Sequence, residues 1–444
     1  MSRTIACIST PLGTGAISII RVSGEKCLEI AKKVFFCKNK DNIQPRVLNL
    51  GDFVYKGITD KCLMAYFKSP LSYTGEDMVE FQCHGGEFLA ENILKSLLEN
   101  GAVLAENGEF SKRAFLNGKL SLDKAEGIID VINATSEAEL RAGYKLLKGE
   151  LKNQVIELQN RLTTALAEIE VTLDYPEYDD EEEAKVEVKS VLEETLTTVQ
   201  KLLSTAKTGK IVKNGINIAI VGKPNVGKSS LLNALLGENR AIVTNIAGTT
   251  RDTITETINF AGMKFNFIDT AGIRESDDVV EKIGIERSRD AINEADVVLV
   301  VLDNSANLDE EDKKLIALTE DRNRIFVLNK TDLGNTLKFE NEDVVEISAL
   351  RHENIEAIKQ KIFDKVIDKK MDMSGLVLTN LRQIDNLKLS ETALKDAISK
   401  CDTESADIVA FLVRNVWNEL GKITGETETE AVVDEIFSKF CLGK

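Results

Sequence analysis

The stretch that decides the fold is residues 216–236, which read INIAIV, then GKPNVGKS, then SLLNALL. Residues 222–229 match the phosphate-loop pattern G-x-x-x-x-G-K-[ST], and they lie between an apolar segment of strand length and a helical one, as that pattern requires. Backbone N–H groups of such a loop, together with the N-terminus of the following helix, bind phosphate. The stretch therefore predicts a nucleotide site in which Lys228 reaches the β- and γ-phosphates and Ser229 ligates Mg²⁺.

Strand and helix patterns alternate around this loop, from residue 217 to residue 366. Short apolar segments (KFNFID, DVVLVVLD, RIFVLN and DVVEIS) are separated by segments with helical spacing. Alternation of this kind predicts a parallel sheet covered by helices on both faces.

Two further motifs lie where the phosphates and the metal would be handled. Gly248-Thr-Thr250 lies in the position of a mobile switch, and Thr250 is the expected second hydroxyl ligand of Mg²⁺. Asp269-Thr-Ala-Gly272 follows an apolar strand segment. Its aspartate is expected to hold the metal through water, and the Gly272 N–H is expected to contact the γ-phosphate.

Two more motifs are expected to bind the base. Asn329-Lys-Thr-Asp332 follows the RIFVLN strand, and Asp332 can accept hydrogen bonds from N1 and N2 of guanine, which adenine does not offer. Ser348-Ala-Leu350 follows the next strand and closes over the base. The five motifs in this order resemble those of the Ras-like GTPase superfamily. The predicted GTP contacts are Asn225, Val226, Gly227, Lys228, Ser229, Ser230, Thr244, Thr249, Thr250, Asp269, Thr270, Ala271, Gly272, Asn329, Lys330, Asp332, Ser348, Ala349 and Leu350.

The position after the Asp-Thr-Ala-Gly motif departs from many such GTPases. Ile273 stands where they carry the glutamine that orients the attacking water. An aliphatic side chain cannot orient water, so the catalytic group has to come from elsewhere. The residues leave three alternatives open: an arginine finger (Arg251 or Arg274), a bound cation, or a carboxylate farther along the second switch.

The segments on either side of the nucleotide region differ from it and from each other. Residues 4–9 and 16–22 have strand patterns, while residues 27–36 and 87–99 have helical spacing. From about Leu120 to about Thr205, and again after Met371, the pattern is helical. We expect four segments: an N-terminal α+β domain (1–118), two halves of one helical domain (119–212 and 371–444), and an α/β domain (213–370) inserted between them.

Composition excludes several classes of protein. The chain has 444 residues, a net charge of −17, seven scattered cysteines and two histidines, which disfavours a disulfide framework, a zinc site and non-specific nucleic-acid binding. Apolar runs are far shorter than the roughly 20 residues of a membrane span. We find no secretory signal pattern and expect a cytoplasmic protein without a membrane partner.

Motifs outside the nucleotide region resemble one family along the whole chain. They are Ser72-Tyr-Thr-Gly-Glu-Asp77, Cys83-His-Gly-Gly86, FSKRAFLNGKL at 110–120 and Phe440-Cys-Leu-Gly-Lys444, together with Thr10-Pro and Ile20-Arg-Val-Ser-Gly24. In this order they resemble the MnmE (TrmE) family of tRNA modification GTPases. The resemblance implies an N-terminal folate-binding domain, a discontinuous helical domain and an inserted Ras-like G domain.

The resemblance also implies the reaction and its partners. The family works with the FAD-binding partner MnmG (GidA) as a heterotetramer and adds aminomethyl or carboxymethylaminomethyl groups to C5 of the wobble uridine of certain tRNAs. The one-carbon unit comes from a tetrahydrofolate (5-formyl- or 5,10-methylene-). The family forms homodimers through the N-terminal domain, and K⁺ assists pairing of the G domains. This chain has no dinucleotide-binding G-x-G-x-x-G, so the flavin belongs to the partner.

Individual positions carry these implied roles. Arg21, Glu80, Lys119 and Lys444 match folate-contacting positions, and Cys441 matches a cysteine of possible function. Asn225, Thr244, Ile246 and Thr249 match the K⁺ site. Glu281 matches the carboxylate that orients the nucleophile through a water, which would fill the gap left by Ile273. Arg251 and Arg274 match switch positions.

Two other functions remain as alternatives at this stage. One is a ribosome-assembly GTPase like Era or Der, although the basic G-x-x-G of an RNA-binding KH domain is missing after the G domain. The other is a folate-binding scaffold with vestigial GTPase activity, which the intact set Lys228, Ser229, Thr250, Asp269 and Asp332 argues against.

Overall fold

The computed structural model describes residues 3–38, 42–174, 181–237, 256–268, 289–367 and 375–444. Contacts divide the chain into two compact units. The first comprises residues 1–129, 144–199 and 382–444, and the second comprises residues 130–143 and 200–381. This division differs from the four predicted segments, whose limits stay a prediction. None of the described helices is both long and apolar enough to cross a membrane.

A seven-stranded sheet forms the first part of unit 1. Its strands are β1 Ile5–Ile8, β2 Ile17–Ser23, β3 Phe35–Phe36, β4 Leu48–Tyr55, β5 Ile58–Phe67, β6 Met78–His84 and β7 Val103–Leu104, in the order β3-β4-β5-β6-β2-β1-β7. All neighbours are antiparallel except β1 and β7. Helices α1 (Cys27–Val34) and α2 (Glu87–Glu99) share a core with the sheet, and α3 (Glu109–Leu116) follows β7. The strands at 5–8 and 17–23 and both helices confirm the sequence prediction, whereas the β4–β5 hairpin was not predicted.

Long helices form the rest of unit 1, and some of them begin or end in residues assigned to unit 2. They are α4 Leu122–Asn133, α5 Glu137–Lys148, α6 Glu150–Asp174, α7 Glu181–Ser204, α12 Leu381–Lys400, α13 Ala406–Thr424 and α14 Glu430–Ser438. Helix α6 buries Leu151, Val155, Leu158 and Leu162, which recur every three or four residues and so lie on one face. It packs against α13. The two helical segments on either side of the α/β domain therefore pack on each other, as the sequence pattern predicted.

Unit 2 contains the predicted α/β domain. Its strands are β8 Ile216–Val221, β9 Glu256–Phe260, β10 Met263–Ile268, β11 Val297–Asp303, β12 Arg324–Asn329 and β13 Val344–Glu346, in the order β13-β12-β11-β8-β10-β9. Its helices are α8 Ala206–Asn214, α9 Lys228–Leu236, α10 Glu310–Leu318 and α11 Ile355–Val366, and residues 289–294 are also helical.

Strand β11 shows why its sequence is a continuous apolar run. Val297, Leu299 and Val301 belong to one hydrophobic core, while Val298, Val300 and Leu302 belong to the core on the other face of the sheet. A strand with helices on both faces has no solvent-facing side, so alternation with polar residues disappears. The prediction of helices on both faces is confirmed.

The prediction of a wholly parallel sheet is wrong at one edge. Strand β9 runs antiparallel to β10, while the other neighbouring pairs in this sheet are parallel. A two-residue turn joins β9 to β10, and both Ala261 (φ 48°) and Gly262 (φ 78°) have positive φ, as a tight hairpin of type I′ demands. The Ala-Gly pair between NF and MKF was the signal that the sequence prediction missed.

Candidate functional site

The phosphate loop, residues 222–229, connects β8 to α9 as predicted. Gly227 has φ 94°, and a Cβ there would lie 2.3 Å from the side-chain nitrogen of Asn329. A larger residue would therefore be strained and would clash with Asn329, so this position requires glycine. The last two residues of the loop, Lys228 and Ser229, form the start of α9, where the backbone N–H groups of a helix N-terminus favour an anion.

The ammonium of Lys228 is held by the loop itself. Its Nζ donates to the carbonyl oxygens of Gly222 and Lys223, both at 2.8 Å. Burial lowers the pKa of Lys228, because desolvation disfavours its charged form. Both acceptors that the described residues offer Lys228 are neutral, and a partly buried cation so placed gains strongly from a phosphate anion. This fits the predicted contact with the β- and γ-phosphates.

Asn329 joins the two predicted halves of the nucleotide site. Its Nδ2 donates to the carbonyl of Val226 at 2.8 Å, and its Oδ1 accepts from the N–H of Ala349 at 3.0 Å. The side chain thus connects the phosphate loop to the Ser348–Leu350 motif, and it is almost fully buried. These three motifs, which are far apart along the chain, meet at the carboxyl ends of β8 and β12 and just beyond β13, the edge where parallel sheets bind ligands.

The predicted guanine-reading carboxylate is oriented by a hydroxyl. Ser348 Oγ donates to Asp332 Oδ1 at 2.6 Å, and this hydrogen bond lowers the pKa of Asp332. The hydrogen bond thus orients the carboxylate and favours its ionised form, which can accept two hydrogen bonds from guanine N1–H and N2–H. In the same Asn329–Asp332 motif, Lys330 Nζ pairs with Asp303 Oδ2 at 2.6 Å. Asp303, at the end of β11, was not among the predicted site residues.

Part of the predicted site lies outside the described residues. This part comprises both switch motifs, most of the predicted K⁺ ligands and the predicted water-orienting carboxylate: Thr244, Ile246, Thr249, Thr250, Arg251, Asp269, Thr270, Ala271, Gly272, Arg274 and Glu281. Their roles stay predictions. Of the metal ligands, Ser229 lies in the first turn of α9 and Asn225 lies in the phosphate loop with φ 63°.

A second polar site lies on the sheet of unit 1. Arg21 on β2 is directly opposite Glu80 on β6, and its Nε donates to Glu80 Oε1 at 2.9 Å. The guanidinium carbon lies 5.2 Å from the ring centre of Tyr73 and 5.6 Å from that of Phe110. Two aromatic rings and one carboxylate thus fix the orientation of Arg21. Neither ring was identified from the sequence, although Tyr73 lies within the Ser72–Asp77 motif.

Residues 441–444 complete this second site. The carbonyl of Gly443 accepts from Ser9 Oγ at 3.1 Å and from Arg21 Nη1 at 3.5 Å, and the carbonyl of Lys444 accepts from the N–H of Phe110 at 3.2 Å. Gly443 has φ 88°, and a Cβ there would lie 2.5 Å from the Ile8 carbonyl oxygen, so the segment can approach β1 only with glycine at this position.

Lys444, Lys119 and Cys441 differ in their surroundings. Burial, and then the positive charge of Arg21, lower the pKa of Lys444. The residue before it, Gly443, accepts a hydrogen bond from Arg21 through its carbonyl oxygen. The exposed Lys119 packs its aliphatic stem against Gly75, two residues from Tyr73. Cys441 is exposed, and all seven cysteines, each within the described residues, are free thiols. The structure therefore brings Arg21, Glu80 and Lys444 together.

Two family models match the chain and together span nearly all of it. The model of the MnmE helical domain matches residues 122–441, and that of the GTP-binding protein TrmE N-terminus matches residues 4–119. The chain belongs to the MnmE family. Membership of this family makes it a GTPase of tRNA modification, with an N-terminal domain, a helical domain and a Ras-like G domain.

Relatives of the family match along the full length. The tRNA modification GTPase MnmE of Clostridioides difficile is 43% identical over 99% of this chain and 99% of its own. The one of Lactococcus lactis subsp. lactis is 44% identical over 99% and 98%. Among solved structures, a variant of Aquifex aeolicus Era bound to GDP and aluminium fluoride is 29% identical over 40% of this chain and 65% of its own, with a TM-score of 0.27. A TM-score this low adds nothing to the family assignment.

Proposed function

We propose that the protein uses GTP hydrolysis to drive the conformational cycle of a complex that modifies C5 of the wobble uridine of certain tRNAs. The FAD-dependent partner is MnmG, with which the chain forms a heterotetramer in the cytoplasm, and the product carries an aminomethyl or carboxymethylaminomethyl group. The observation that carries the proposal is that one chain of this family holds two separately built polar sites, one at the phosphate loop and one at Arg21. A GTPase with a regulatory role alone has no use for the second site.

The second site fits a tetrahydrofolate derivative, 5-formyl- or 5,10-methylene-, as the one-carbon donor. Such a molecule has a pterin edge that donates to a carboxylate and a glutamate tail that needs cations. Glu80 offers the carboxylate, and Arg21 and Lys444 offer cations that are partly desolvated and therefore gain most from an anionic partner. Lys119 is available as a third, exposed cation. The tetrahydrofolate would supply the one-carbon unit, while the residues of this chain would bind and orient the tetrahydrofolate.

The nucleotide site fits GTP with Mg²⁺ and K⁺. Ser229 and Thr250 would hold Mg²⁺, and oxygens of Asn225, Thr244, Ile246 and Thr249 would hold K⁺. A cation beside the phosphates would supply the positive charge that an arginine finger supplies elsewhere. Glu281 would orient the attacking water, and Arg251 and Arg274 remain candidate contacts.

A simple comparison of salts tests the K⁺ site. We expect faster GTP turnover in KCl than in NaCl at equal ionic strength, and equal rates would exclude the cation. We also expect Glu281→Ala to slow turnover while leaving GTP affinity nearly unchanged, because the residue acts in the transition state. A parallel loss of affinity would make Glu281 structural.

The proposed homodimer has a suitable surface on the sheet of unit 1. Leu48 and Leu50 of β4 and Ile17 of β2 are each more than half exposed. The strand register places all three on one face of the sheet, although β5 and β6 lie between β4 and β2. Exposed aliphatic side chains on one face are typical of interaction surfaces. We propose that this face pairs with a second copy of the chain.

Mass spectrometry of tRNA nucleosides tests the function as a whole. The tRNA comes from cells that lack the chain, with and without a plasmid copy of the wild type or of Lys228→Ala. We expect the modified wobble uridine to disappear, to return with the wild type and to stay absent with Lys228→Ala. Unchanged nucleosides would exclude the tRNA function and favour a role in ribosome assembly.

A further inference from the structure

Lys223, the second residue of the phosphate loop, makes two ion pairs with another part of unit 2. Its Nζ lies 2.7 Å from Asp309 Oδ2 and 2.8 Å from Asp312 Oδ2. The side chain of Asp312 is 3% exposed and that of Lys223 is 18% exposed. Partial exclusion from water strengthens the pair with Asp312 relative to a surface ion pair, whereas the Asp309 side chain is 51% exposed. None of the nucleotide motifs requires a cation at this position.

The two aspartates are held in place by hydrogen bonds that do not involve Lys223. Asp309 is the N-cap of α10, and its Oδ1 accepts from the N–H groups of Glu311 and Asp312, both at 3.0 Å. In return, the N–H of Asp309 donates to Asp312 Oδ2 at 3.2 Å, which completes a capping box. Hydrogen bonds from Lys223 and from the N–H of Asp312 lower the pKa of Asp309 to about 2. The acceptors for Lys223 are therefore preorganised, and the Asp309 carboxylate stays ionised at neutral pH.

The backbone of Lys223 contacts Lys228, the lysine that is predicted to bind the phosphates. Its carbonyl oxygen accepts one of the two hydrogen bonds from the ammonium of Lys228. A shift of Lys223 moves this acceptor and therefore changes the direction in which the ammonium points. The side chain of Lys223 thus acts on the phosphates only through Lys228.

The same segment also supports the base-binding side of the site. Residues 303–312 run from the end of β11 to the first turn of α10. Asp303 at its start pairs with Lys330 of the guanine-reading motif, and Asp309 and Asp312 at its end pair with Lys223. One segment therefore holds a lysine from each side of the predicted nucleotide site.

We propose that Lys223 is a positioning residue for GTP hydrolysis: by anchoring the phosphate loop to the N-terminus of α10, it fixes the carbonyl that orients Lys228. The orientation of the Lys228 ammonium matters most in the transition state, when negative charge moves onto the phosphate oxygens. Loss of the Lys223 anchor should therefore lower kcat more than it raises KM.

Steady-state GTP hydrolysis by the full chain tests this role with Lys223→Met, which keeps the aliphatic stem and removes the charge. We expect kcat to fall about tenfold while KM changes by less than about threefold, in line with lost transition-state positioning. Lys223→Arg, which keeps a cation for the two carboxylates, should restore most of kcat. A kcat within twofold of the wild type for Lys223→Met would overturn the proposal, even if the melting temperature fell.

Changes at the aspartates show whether Lys223 acts through them. We expect Asp312→Asn to lower kcat as Lys223→Met does, and the double variant to be no slower than either, because both changes break the same contact. Losses that multiply in the double variant would contradict this. Asp309→Asn, whose amide oxygen can still cap the helix, is the milder variant with an expected loss of about threefold. It decides the question if Lys223→Met does not fold, since an unchanged kcat would then overturn the proposal.

Lys313→Met provides the matched control. Lys313 lies on α10, whose N-terminus carries Asp309 and Asp312, and it pairs with Glu310 at 2.8 Å. The side chains of Lys313 and Glu310 are 60% and 79% exposed. Removing this exposed pair should leave kcat unchanged. A loss equal to that of Lys223→Met would mean that any positive charge removed near the N-terminus of α10 lowers kcat, which would overturn a specific role for Lys223.

Discussion

The nucleotide site in unit 2 and the Arg21 site in unit 1 are built in opposite ways. In unit 2 the described motifs follow parallel strands of one sheet, and a single buried amide, that of Asn329, connects them. In unit 1 the site needs two antiparallel strands, two aromatic rings from other segments, and a backbone carbonyl 422 residues away from Arg21. The first site is therefore encoded mostly in local patterns, and the second mostly in contacts between distant residues. Variants that affect one site and spare the other test this contrast.

The largest separation is expected from Lys228→Ala. Removal of a cation that stabilises developing phosphate charge should lower GTP turnover by roughly 10²-fold or more. Folate binding at the Arg21 site, measured by calorimetry with 5-formyltetrahydrofolate, should remain within twofold of the wild type. A parallel loss of folate binding would mean that the two sites are not built independently.

Deletion of residues 441–444 should give the reverse pattern. It removes the Lys444 ammonium and the Gly443 carbonyl that Ser9 and Arg21 use, so we expect folate affinity to fall about tenfold, the equivalent of ~1.4 kcal/mol. GTP turnover without tRNA should stay unchanged. The milder Gly443→Ala, which places a Cβ against Ile8, should weaken folate binding in the same direction. Wild-type folate affinity in both variants would exclude this segment from the site.

The smallest effect is expected from Ser348→Ala, and it should depend on pH. The hydrogen bond from Ser348 lowers the pKa of Asp332, so its loss raises that pKa and lets the carboxyl take up a proton at higher pH. The lost orientation of the carboxylate should lower GTP affinity about threefold at pH 7.5. Affinity should fall further near pH ~4, where a carboxyl of ordinary pKa takes up a proton and no longer accepts from both guanine N–H groups. Fluorescent-nucleotide titrations at both pH values measure this, with the exposed Ser399→Ala as control. A pH-independent loss would exclude the proposed effect on Asp332.

The features that could be predicted from the sequence are those encoded in local patterns, and most of the features that were missed depend on contacts between distant residues. Strand β11 and the phosphate loop could be predicted because burial on both faces and phosphate binding each impose a local pattern on the sequence. The hairpin of β9 and β10 was missed because β9 shows no continuous apolar run, and only its two-residue turn marks it. Asp303 and Lys223 were missed because an isolated charge gives no indication of its partner before the chain is folded.

Sequence reasoning reached the Arg21 site only through a family resemblance. Arg21 and Glu80 lie 59 residues apart, and neither position has a neighbour pattern that distinguishes it from an ordinary surface charge. Tyr73 and Phe110 orient the guanidinium through their rings, but in the sequence nothing distinguishes them from aromatic residues that only pack in a core. The strand register that places Arg21 opposite Glu80 is a property of the folded sheet, so no short window of sequence contains it.

The close approach of Gly443 to Ile8 has a consequence for synthesis of the protein. Residues 5–84, which supply Arg21 and Glu80, leave the ribosome early, whereas Gly443 and Lys444 follow tens of seconds later at the usual ~5–20 residues per second. Until then the ion pair of Arg21 with Glu80 can form but the acceptor from Gly443 is missing. An interrupted chain can thus fold its N-terminal sheet and still fail to complete the Arg21 site, which restricts that site to chains translated through residue 444.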